Sequence, residues 1–343
     1  MVSQKMEKQT KNIAVLILNW NGVKLLQKYL TSIVKHNSSE AEIIIVDNAS
    51  EDDSIVFLQN TYPNIKRIEF KNNYGFAKGY NKAINLISHE YVVLLNSDIR
   101  VTENWLQAPI EFLKSNIDYA ACQPKILDDK SPLKFEYAGA SGGFIDALGY
   151  PFCRGRLFDT LEDDEGQYDH IKDVFWASGA ALFVKRQVYL NLGGLDESFF
   201  AHQEEIDLCW RILNKGHKIA CIPQSKVYHL GGASLDKSNP KKTFLNFRNN
   251  LVMLLKNLPL YALPLIFIRM VLDGIAGIKF ITEGKISHSF AIFKAHISFY
   301  LRIPSAVLKR TKTTAISNQI QYKGSILKEY YIKGHKQYNN LNW

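Results

Sequence analysis

Short apolar runs alternate with amphipathic segments over the first hundred residues. Four runs predict buried strands: residues 13–18, 43–46, 65–70 and 91–95. Apolar side chains at helical spacing predict three helices between them: residues 23–34, a segment from Asp52 to about Asn60, and one after Asn81 that ends near Ser88. This order predicts a doubly wound α/β fold, with a mostly parallel sheet flanked by helices.

Polar residues follow each predicted strand, at the edge where open α/β sheets bind ligands. Residues 91–95 lead directly into Asn96, Ser97 and Asp98. Asp98 is therefore a candidate ligand for Mg²⁺ or Mn²⁺, which take hard oxygen ligands and leave positions open for substrate phosphates. The alternative is that these three residues only form a turn, which all three residue types favour.

The loops after the other strands indicate a nucleotide site. Asp47 could accept hydrogen bonds from a base or a ribose, and Gly75 and Gly79 would let the backbone approach a phosphate closely. The sequence contains neither GxGxxG nor GxxxxGK[ST]. A Rossmann dinucleotide site and a P-loop are therefore not expected.

The second half of the chain adds three candidate features. Residues 174–184 predict a strand–turn–strand passage, and the acidic run 162–165 predicts a solvated surface. Glu204 and Glu205 begin an amphipathic helix, where carboxylates also favour the helix dipole without any catalytic role. A strand over residues 218–222 ends at Pro223. His229 then precedes Gly231 and Gly232, and it is either a structural histidine or a metal ligand.

Composition narrows the class of protein. The 343 residues are 46% hydrophobic and 22% charged, which is typical of a globular chain. The four cysteines are widely spaced and form no CxxC, so neither a zinc site nor a disulfide framework is expected. Residues 1–12 are polar and lack the apolar core of a signal peptide. These features together predict a cytoplasmic setting.

Charge divides the chain into two predicted regions, residues 1–239 and 240–343. The first holds 26 Lys and Arg against 30 Asp and Glu, whereas the second holds 16 against 3. Basic residues alternate with apolar ones between 284 and 310, which predicts helices lying in a membrane interface. The longest uncharged run of the second region, residues 257–268, is shorter than the about 20 residues that a spanning helix needs.

The second region therefore predicts a peripheral protein at the inner face of the cell membrane. The alternative is a helical appendage packed on the first region or on a second copy of the chain. Nucleic acid is not expected as a partner, because no nucleic-acid-binding motif accompanies the charge.

Eight short motifs, taken in order, resemble the family 2 glycosyltransferases of the GT-A fold. The pattern is most similar to the bacterial rhamnosyltransferase-like enzymes of polysaccharide and O-antigen assembly. The motifs are 19–22 (NWNG), 46–50 (VDNAS), Asn72 with 75–81 (GFAKGYN), 94–98 (LLNSD), 176–180 (WASGA), 193–200 (GGLDESFF), 204–208 (EEIDL) and 229–234 (HLGGAS).

The resemblance implies a role for each candidate residue. Asp98 matches the last aspartate of the family's DxD metal motif, and His229 is similar to the histidine that completes metal coordination. Glu205 would be the general base, with Glu204 as the other member of the pair, although aspartate usually stands at the second position. Trp176, Ser178 and Gly179 would border the sugar and acceptor site. The nucleotide-sugar site would include Asn19, Asn21, Asp47, Asn48, Asn72, Gly75, Gly79, Asn81 and Asn96.

The implied activity is inverting, metal-dependent transfer from a dTDP- or UDP-sugar to a glycan or a lipid-linked acceptor. Asn96 stands where the metal motif usually has its first aspartate, and Glu205 is one methylene longer than the usual base. These two departures leave open a non-catalytic alternative, a GT-A-like nucleotide-sugar binder or scaffold.

Overall fold

The computed structural model describes residues 11–231, 239–310 and 320–343 of the protein. Residues 1–10 and the end of the 229–234 motif, including Gly232, lie outside these ranges. The predicted alternation of the first hundred residues is confirmed. Its strands are β1 (Ile13–Asn19), β2 (Ala41–Asp47), β3 (Lys66–Glu69) and β4 (Tyr91–Asn96), and its helices are α1 (Val23–Lys35), α2 (Ser54–Thr61) and α3 (Gly75–Asn85).

Ten further strands and six further helices follow in the described residues. The strands are β5 (Ile99–Val101), β6 (Tyr119–Asp128), β7 (Gly143–Asp146), β8 (Pro151–Cys153), β9 (Arg156–Leu157), β10 (Thr160–Leu161), β11 (Lys172–Asp173), β12 (Ala181–Lys185), β13 (Lys218–His229) and β14 (Gln321–Tyr322). The helices are α4 (Gln107–Ser115), α5 (Arg186–Asn191), α6 (Glu204–Asn214), α7 (Pro240–Asn257), α8 (Pro264–Thr282) and α9 (Ile286–Leu308).

The main sheet has the order β11-β13-β6-β12-β4-β1-β2-β3, and β5 pairs with the end of β13. Strands β4, β1, β2 and β3 are parallel, as expected. Beyond β4 the sheet is mixed, because β12 runs antiparallel to both β4 and β6. Ala181 therefore pairs with Leu95, and the residues just before β12 reach the carboxyl end of β4.

Alternating side chains of the parallel strands enter two apolar layers. One layer includes Leu16 and Leu94 and contacts α3, α6 and α7. The other includes Val15 and Val93 and contacts α1, α2 and α4. Because side chains alternate across a strand, these layers lie on opposite faces of the sheet. The doubly wound prediction is therefore confirmed.

Three local predictions were wrong. Residues 174–180 are irregular, and only β12 forms in the predicted strand–turn–strand passage. Strand β13 continues past Pro223. A bulge between Ile222 and Lys226 accommodates this proline, which has no backbone N–H to donate to the neighbouring strand. The acidic run is not simply solvated. Asp164 pairs with the buried Lys125 at 2.7 Å, and buried Glu162 accepts hydrogen bonds from the Tyr168 hydroxyl and the Tyr338 amide.

The last described segment, residues 320–343, packs against residues from the middle of the chain. Strand β14 pairs with β7 in a second sheet of order β10-β9-β8-β7-β14. Aromatic rings of the two parts pack together there: Phe144, Phe152, Tyr322, Tyr338 and Trp343. The predicted C-terminal helical extension is therefore present as α7–α9, whereas residues 320–343 complete this second sheet.

A glycine contact gives a test of the packing around the second sheet. A Cβ on Gly143 would lie 2.0 Å from Cε2 of the Trp176 ring. We expect Gly143→Ala to lower the free energy of unfolding by about 1–3 kcal/mol, because overpacking forces the ring to shift. Gly274→Ala is the control. It lies inside α8 with nothing within 4 Å of its added Cβ, and it should be neutral or slightly stabilising. Equal melting temperatures for Gly143→Ala and the parent would contradict the contact.

Candidate active site

Asp47, at the end of β2, is buried and held by the end of β1. The Asn19 amide donates to Asp47 Oδ1 over 3.0 Å, and the Ser50 hydroxyl donates to the same oxygen over 2.6 Å. The Ser50 backbone amide donates to the other carboxylate oxygen over 2.9 Å. These bonds fix the carboxylate in one orientation beside the strand ends.

Asn48 connects this strand end to the start of α3. Its Oδ1 accepts a hydrogen bond from the Tyr74 amide at 2.9 Å, and its Nδ2 donates to Asn73 Oδ1 at 2.8 Å and to the Gly75 carbonyl at 3.2 Å. Asn21 stabilises the neighbouring loop by accepting from the Glu51 amide. Asn72, next to Asn73, is exposed. Asn21, Asn48 and Gly75 thus lie in hydrogen-bonded loops at the strand ends, with Asn72 beside them, and their role in nucleotide binding stays a prediction.

Two predicted nucleotide residues have other roles, because α3 begins at Gly75 rather than after Asn81. A Cβ on Gly79 would lie 2.9 Å from Leu18, so this glycine lets the helix pack closely on β1. The Asn81 amide donates to the Leu195 carbonyl at 2.8 Å, and its oxygen accepts from the Tyr189 hydroxyl at 2.6 Å. Gly79 therefore serves packing, and Asn81 holds the loop over residues 192–197.

The structure brings Asp98 and His229 together. Strand β5 pairs with the end of β13, with Ile99 opposite His229, and both side chains are buried. His229 Nε2 lies 3.1 Å from Asp98 Oδ1 and 3.4 Å from the Asn96 amide nitrogen. A carboxylate oxygen and an imidazole nitrogen thus meet at the carboxyl end of β4.

The sequence analysis missed a third member of this group, Glu136. Its Oε1 lies 3.2 Å from His229 Nδ1, and its other oxygen accepts a short hydrogen bond from the Ala138 amide. Burial alone lowers the pKa of His229, but the facing carboxylates of Glu136 and Asp98 outweigh it and raise the pKa to about 10. No sequence signal marks Glu136, because it lies in an irregular stretch between β6 and β7.

This group fits a divalent cation that is completed by substrate. Asp98 offers a hard oxygen and His229 a nitrogen once it releases its proton, a donor set that suits Mn²⁺. Glu136 would then orient the imidazole through its other nitrogen. Among the described residues no three His, Cys, Asp or Glu side chains converge on one point. The chain would therefore supply two ligands and leave the other positions to phosphate and water.

Glu205 lies against the turn that precedes β12, at the carboxyl end of β4. A Cβ on Gly179 would lie 3.5 Å from the Glu205 Cβ and 3.6 Å from the Phe76 ring.

The two glutamates at the start of α6 differ in environment. Glu204 is buried, and no described residue hydrogen-bonds its Oε2. Burial and the charge of Glu205 raise the pKa of Glu204 well above its usual range, whereas burial raises the pKa of Glu205 to about 7. Near neutral pH Glu205 is the member of the pair that can release a proton and act as a base.

All three predicted acceptor-site residues are buried, and of these Gly179 is the one that lies against Glu205. The Trp176 ring is buried against Gly143, and its Nε1 donates to the Phe144 carbonyl at 3.0 Å. The Ser178 hydroxyl is also buried and donates to the Ala138 carbonyl at 2.6 Å. Trp176 and Ser178 therefore make packing and hydrogen-bond contacts inside the fold, and their role in acceptor binding stays a prediction.

Comparison with known proteins shows which families and folds this chain resembles. Residues 14–155 match the family model described as "Glycosyl transferase family 2". The N-acetylglucosaminyl-diphospho-decaprenol L-rhamnosyltransferase of Mycobacterium tuberculosis is 22% identical over 234 residues, 64% of this chain and 76% of that protein. The dTDP-rhamnosyl transferase RfbF of Shigella flexneri is 24% identical over 265 residues, 72% of this chain and 81% of that protein.

A solved structure shows the same fold. The mannosyltransferase PcManGT of Pyrobaculum calidifontis, in complex with GDP-Man and Mn²⁺, superposes with a TM-score of 0.52 at 14% identity. The match covers 85% of this chain and 88% of that one. The expected GT-A architecture is therefore confirmed.

The place of Glu136 beside His229 can be tested by metal binding alone. We expect Glu136→Gln to weaken Mn²⁺ affinity by roughly 10–100-fold, the usual effect of removing the carboxylate behind a ligating histidine. Isothermal titration calorimetry with Mn²⁺ and a nucleoside diphosphate would measure it. Glu111→Gln, on the exposed side of α4, is the control. Parent-like affinity for the Glu136 variant would mean that Glu136 does not support the histidine.

Proposed function

We propose that this chain, which resembles the family 2 glycosyltransferases over residues 14–155, is an inverting, cation-dependent enzyme of cell-surface polysaccharide synthesis. It would move a sugar from a nucleoside diphosphate to a hydroxyl of a glycan or lipid-linked acceptor. One observation carries the proposal. The Asp98–His229 pair and the carboxylate of Glu205, whose pKa is near neutral, lie at the edge of the sheet where Asp47 is fixed.

The donor side of the reaction uses the strand ends. Asp47, held by Asn19 and Ser50, would bind the base or ribose. Asp98 and His229 would hold Mn²⁺ or Mg²⁺, and the bound cation would neutralise charge on the departing nucleoside diphosphate. Asn96, which contacts His229, keeps the first position of the metal motif neutral.

The acceptor side uses Glu205. Its carboxylate would take the proton of the acceptor hydroxyl while that oxygen attacks the anomeric carbon. The bond from the anomeric carbon to the diphosphate oxygen breaks in the same step, so one displacement inverts the configuration, and no covalent nucleophile is needed. Glu204, whose pKa lies higher, would stay protonated behind it.

The names of the relatives support a particular donor and acceptor. Both are rhamnosyltransferases, and the Shigella protein is named for a dTDP donor. We therefore propose dTDP-rhamnose as the first donor to test and a UDP-sugar as the second. The mycobacterial name contains a diphospho-decaprenol acceptor, which supports a lipid-linked acceptor here. Mn²⁺ in the mannosyltransferase complex supports Mn²⁺ as the first cation to test.

The general base is tested by Glu205→Gln. We expect transfer to fall by at least ~10²-fold while donor binding is retained, because only proton removal is lost. In the parent, the rate should rise with pH through about 7, as Glu205 loses its proton. Transfer from dTDP-rhamnose with Mn²⁺, measured across pH 5–9, checks both.

The matched control is Glu204→Gln. If that variant is inactive and Glu205→Gln is active, the assignment within the pair is reversed. If the parent binds donors but neither transfers nor hydrolyses them, the chain is a nucleotide-sugar binder.

The helices α8 and α9 carry a broad exposed apolar surface. On α8 it includes Phe267, Val271, Ile275 and Ile278, and on α9 it includes Ile286, Phe290, Phe293, Ile297 and Leu301. All are at least 46% exposed, and the region around them is strongly basic. We propose that this surface, here called the apolar stripe, lies in the interface of an anionic membrane.

The contacts of α8 support a flat orientation. The segment Leu260–Thr282 is long and apolar enough to span a membrane by length and composition. Arg269, in its middle, donates to the Leu148 carbonyl at 2.9 Å and lies over the Tyr150 ring. Asp273, one turn later, lies 3.3 Å from His296 of α9. One face of α8 is thus attached to the catalytic part, which favours a helix lying on the surface.

Liposome flotation tests the apolar stripe. We expect the full-length protein to bind anionic liposomes at low salt and to lose binding only partly at high salt, because inserted apolar groups are not screened. Phe290→Glu combined with Phe293→Glu should lower binding strongly. Val56→Glu, an equally exposed apolar position on α2, is the control. Failure of the parent to bind at low salt would contradict the membrane proposal, and light scattering would then test whether the stripe joins two copies.

A further inference from the structure

The backbone that leads into the catalytic pair has an unusual conformation. Phe200, His202 and Gln203 all have left-handed torsions, with φ of 69°, 68° and 70°. Side chains with a Cβ disfavour this region. Gln203 directly precedes Glu204, and its side chain does not cap α6. The position of the pair therefore depends on whatever holds residues 199–203.

Asn249 of α7 is the main partner of this segment. Its amide nitrogen lies within hydrogen-bond distance of three backbone carbonyls, those of Phe199 at 3.1 Å, Ala201 at 2.8 Å and His202 at 2.8 Å, which share its two N–H groups. Its side-chain oxygen accepts from Arg248 Nε at 2.9 Å and Nη2 at 2.7 Å. Asn249 is 1% exposed, so water does not replace these contacts in the folded chain.

Neighbours on α7 secure the two ends of the segment. The Arg248 guanidinium also donates to the Phe199 carbonyl at 2.8 Å. At the other end, the Gln203 side chain donates to the Asn246 carbonyl at 3.1 Å and accepts from Asn250 at 3.3 Å. The segment before the catalytic pair is therefore bonded along its length to a helix of the C-terminal region.

We propose that Asn249 is a positioning residue for sugar transfer: it holds the left-handed segment 200–203 and thereby fixes where Glu205 stands against Gly179. The inference rests on the proposed function, because it assigns Glu205 the role of base. It extends that function by giving one residue of α7, a helix outside the matched family domain, a positioning role. Misplacement of a base by about 1 Å can cost up to ~10²-fold in rate.

The test is Asn249→Asp, which keeps the shape and the acceptor for Arg248 but loses the donor to the three carbonyls. We expect kcat to fall by about 10–100-fold with donor KM and Mn²⁺ affinity within about twofold of the parent. Amide hydrogen exchange of residues 200–206 should become faster. The matched control is Leu251→Ala, a buried residue of the same helix that makes no hydrogen bond to the segment. It should lower the melting temperature and leave kcat unchanged.

Two outcomes would overturn the proposal. One is an Asn249→Asp protein whose kcat equals that of Leu251→Ala at a similar melting temperature, which would indicate a merely stabilising role. The other is unchanged amide exchange at residues 200–206. If the parent itself transfers no sugar, the proposed function fails, and the exchange measurement still decides whether Asn249 holds the segment.

Discussion

The parallel pairing of β1 with β2 and β4 is the constraint on which the rest of the structure depends. Its register places Asn19 opposite Asp47 and Leu18 opposite Asn96, so three polar strand ends meet at one edge. A shift of one residue would turn the alternating apolar side chains of these buried strands to the wrong layer, so the core fixes the register. The antiparallel insertion of β12 then brings Gly179, and with it Glu205, to the same edge.

Buried charge is the second organising element of the site. His229 is buried and is tolerated there because Asp98 and Glu136 flank its two nitrogens. The same two carboxylates would favour a cation in the proposed site, once the imidazole releases its proton. Glu204 and Glu205 show the opposite case, because among the described residues no Lys or Arg charge contributes to the pKa of either carboxyl group. Burial therefore favours their neutral forms and brings the pKa of Glu205 into the range useful for a base.

The sequence predicts the parallel half of the sheet and the strand-end residues well, because buried strands and helices have strong periodicities. The sequence predicts side-chain contacts less well where the two residues are far apart along the chain. The Asp98–His229 pair could be expected from family order, but Glu136 reaches His229 from an irregular stretch that has no pattern. Trp176 was placed in the acceptor site by motif alone, and only the contact with Gly143 reveals it as a packing residue. Gly79 was misassigned because glycine serves close helix packing as readily as phosphate approach.

The C-terminal helices connect the proposed base with the proposed membrane contact. Helix α7 bonds to the segment before Glu204 on one side and packs along α9 on another. Helix α9 carries half of the apolar stripe, so only one layer of helix lies between the proposed lipid contact and the proposed base. For an enzyme whose acceptor is attached to a lipid, this short distance has a physical advantage. The same helices that hold the base in place would also hold the cleft near the surface from which the acceptor hydroxyl arrives, which reduces the orientational freedom that must be lost before transfer.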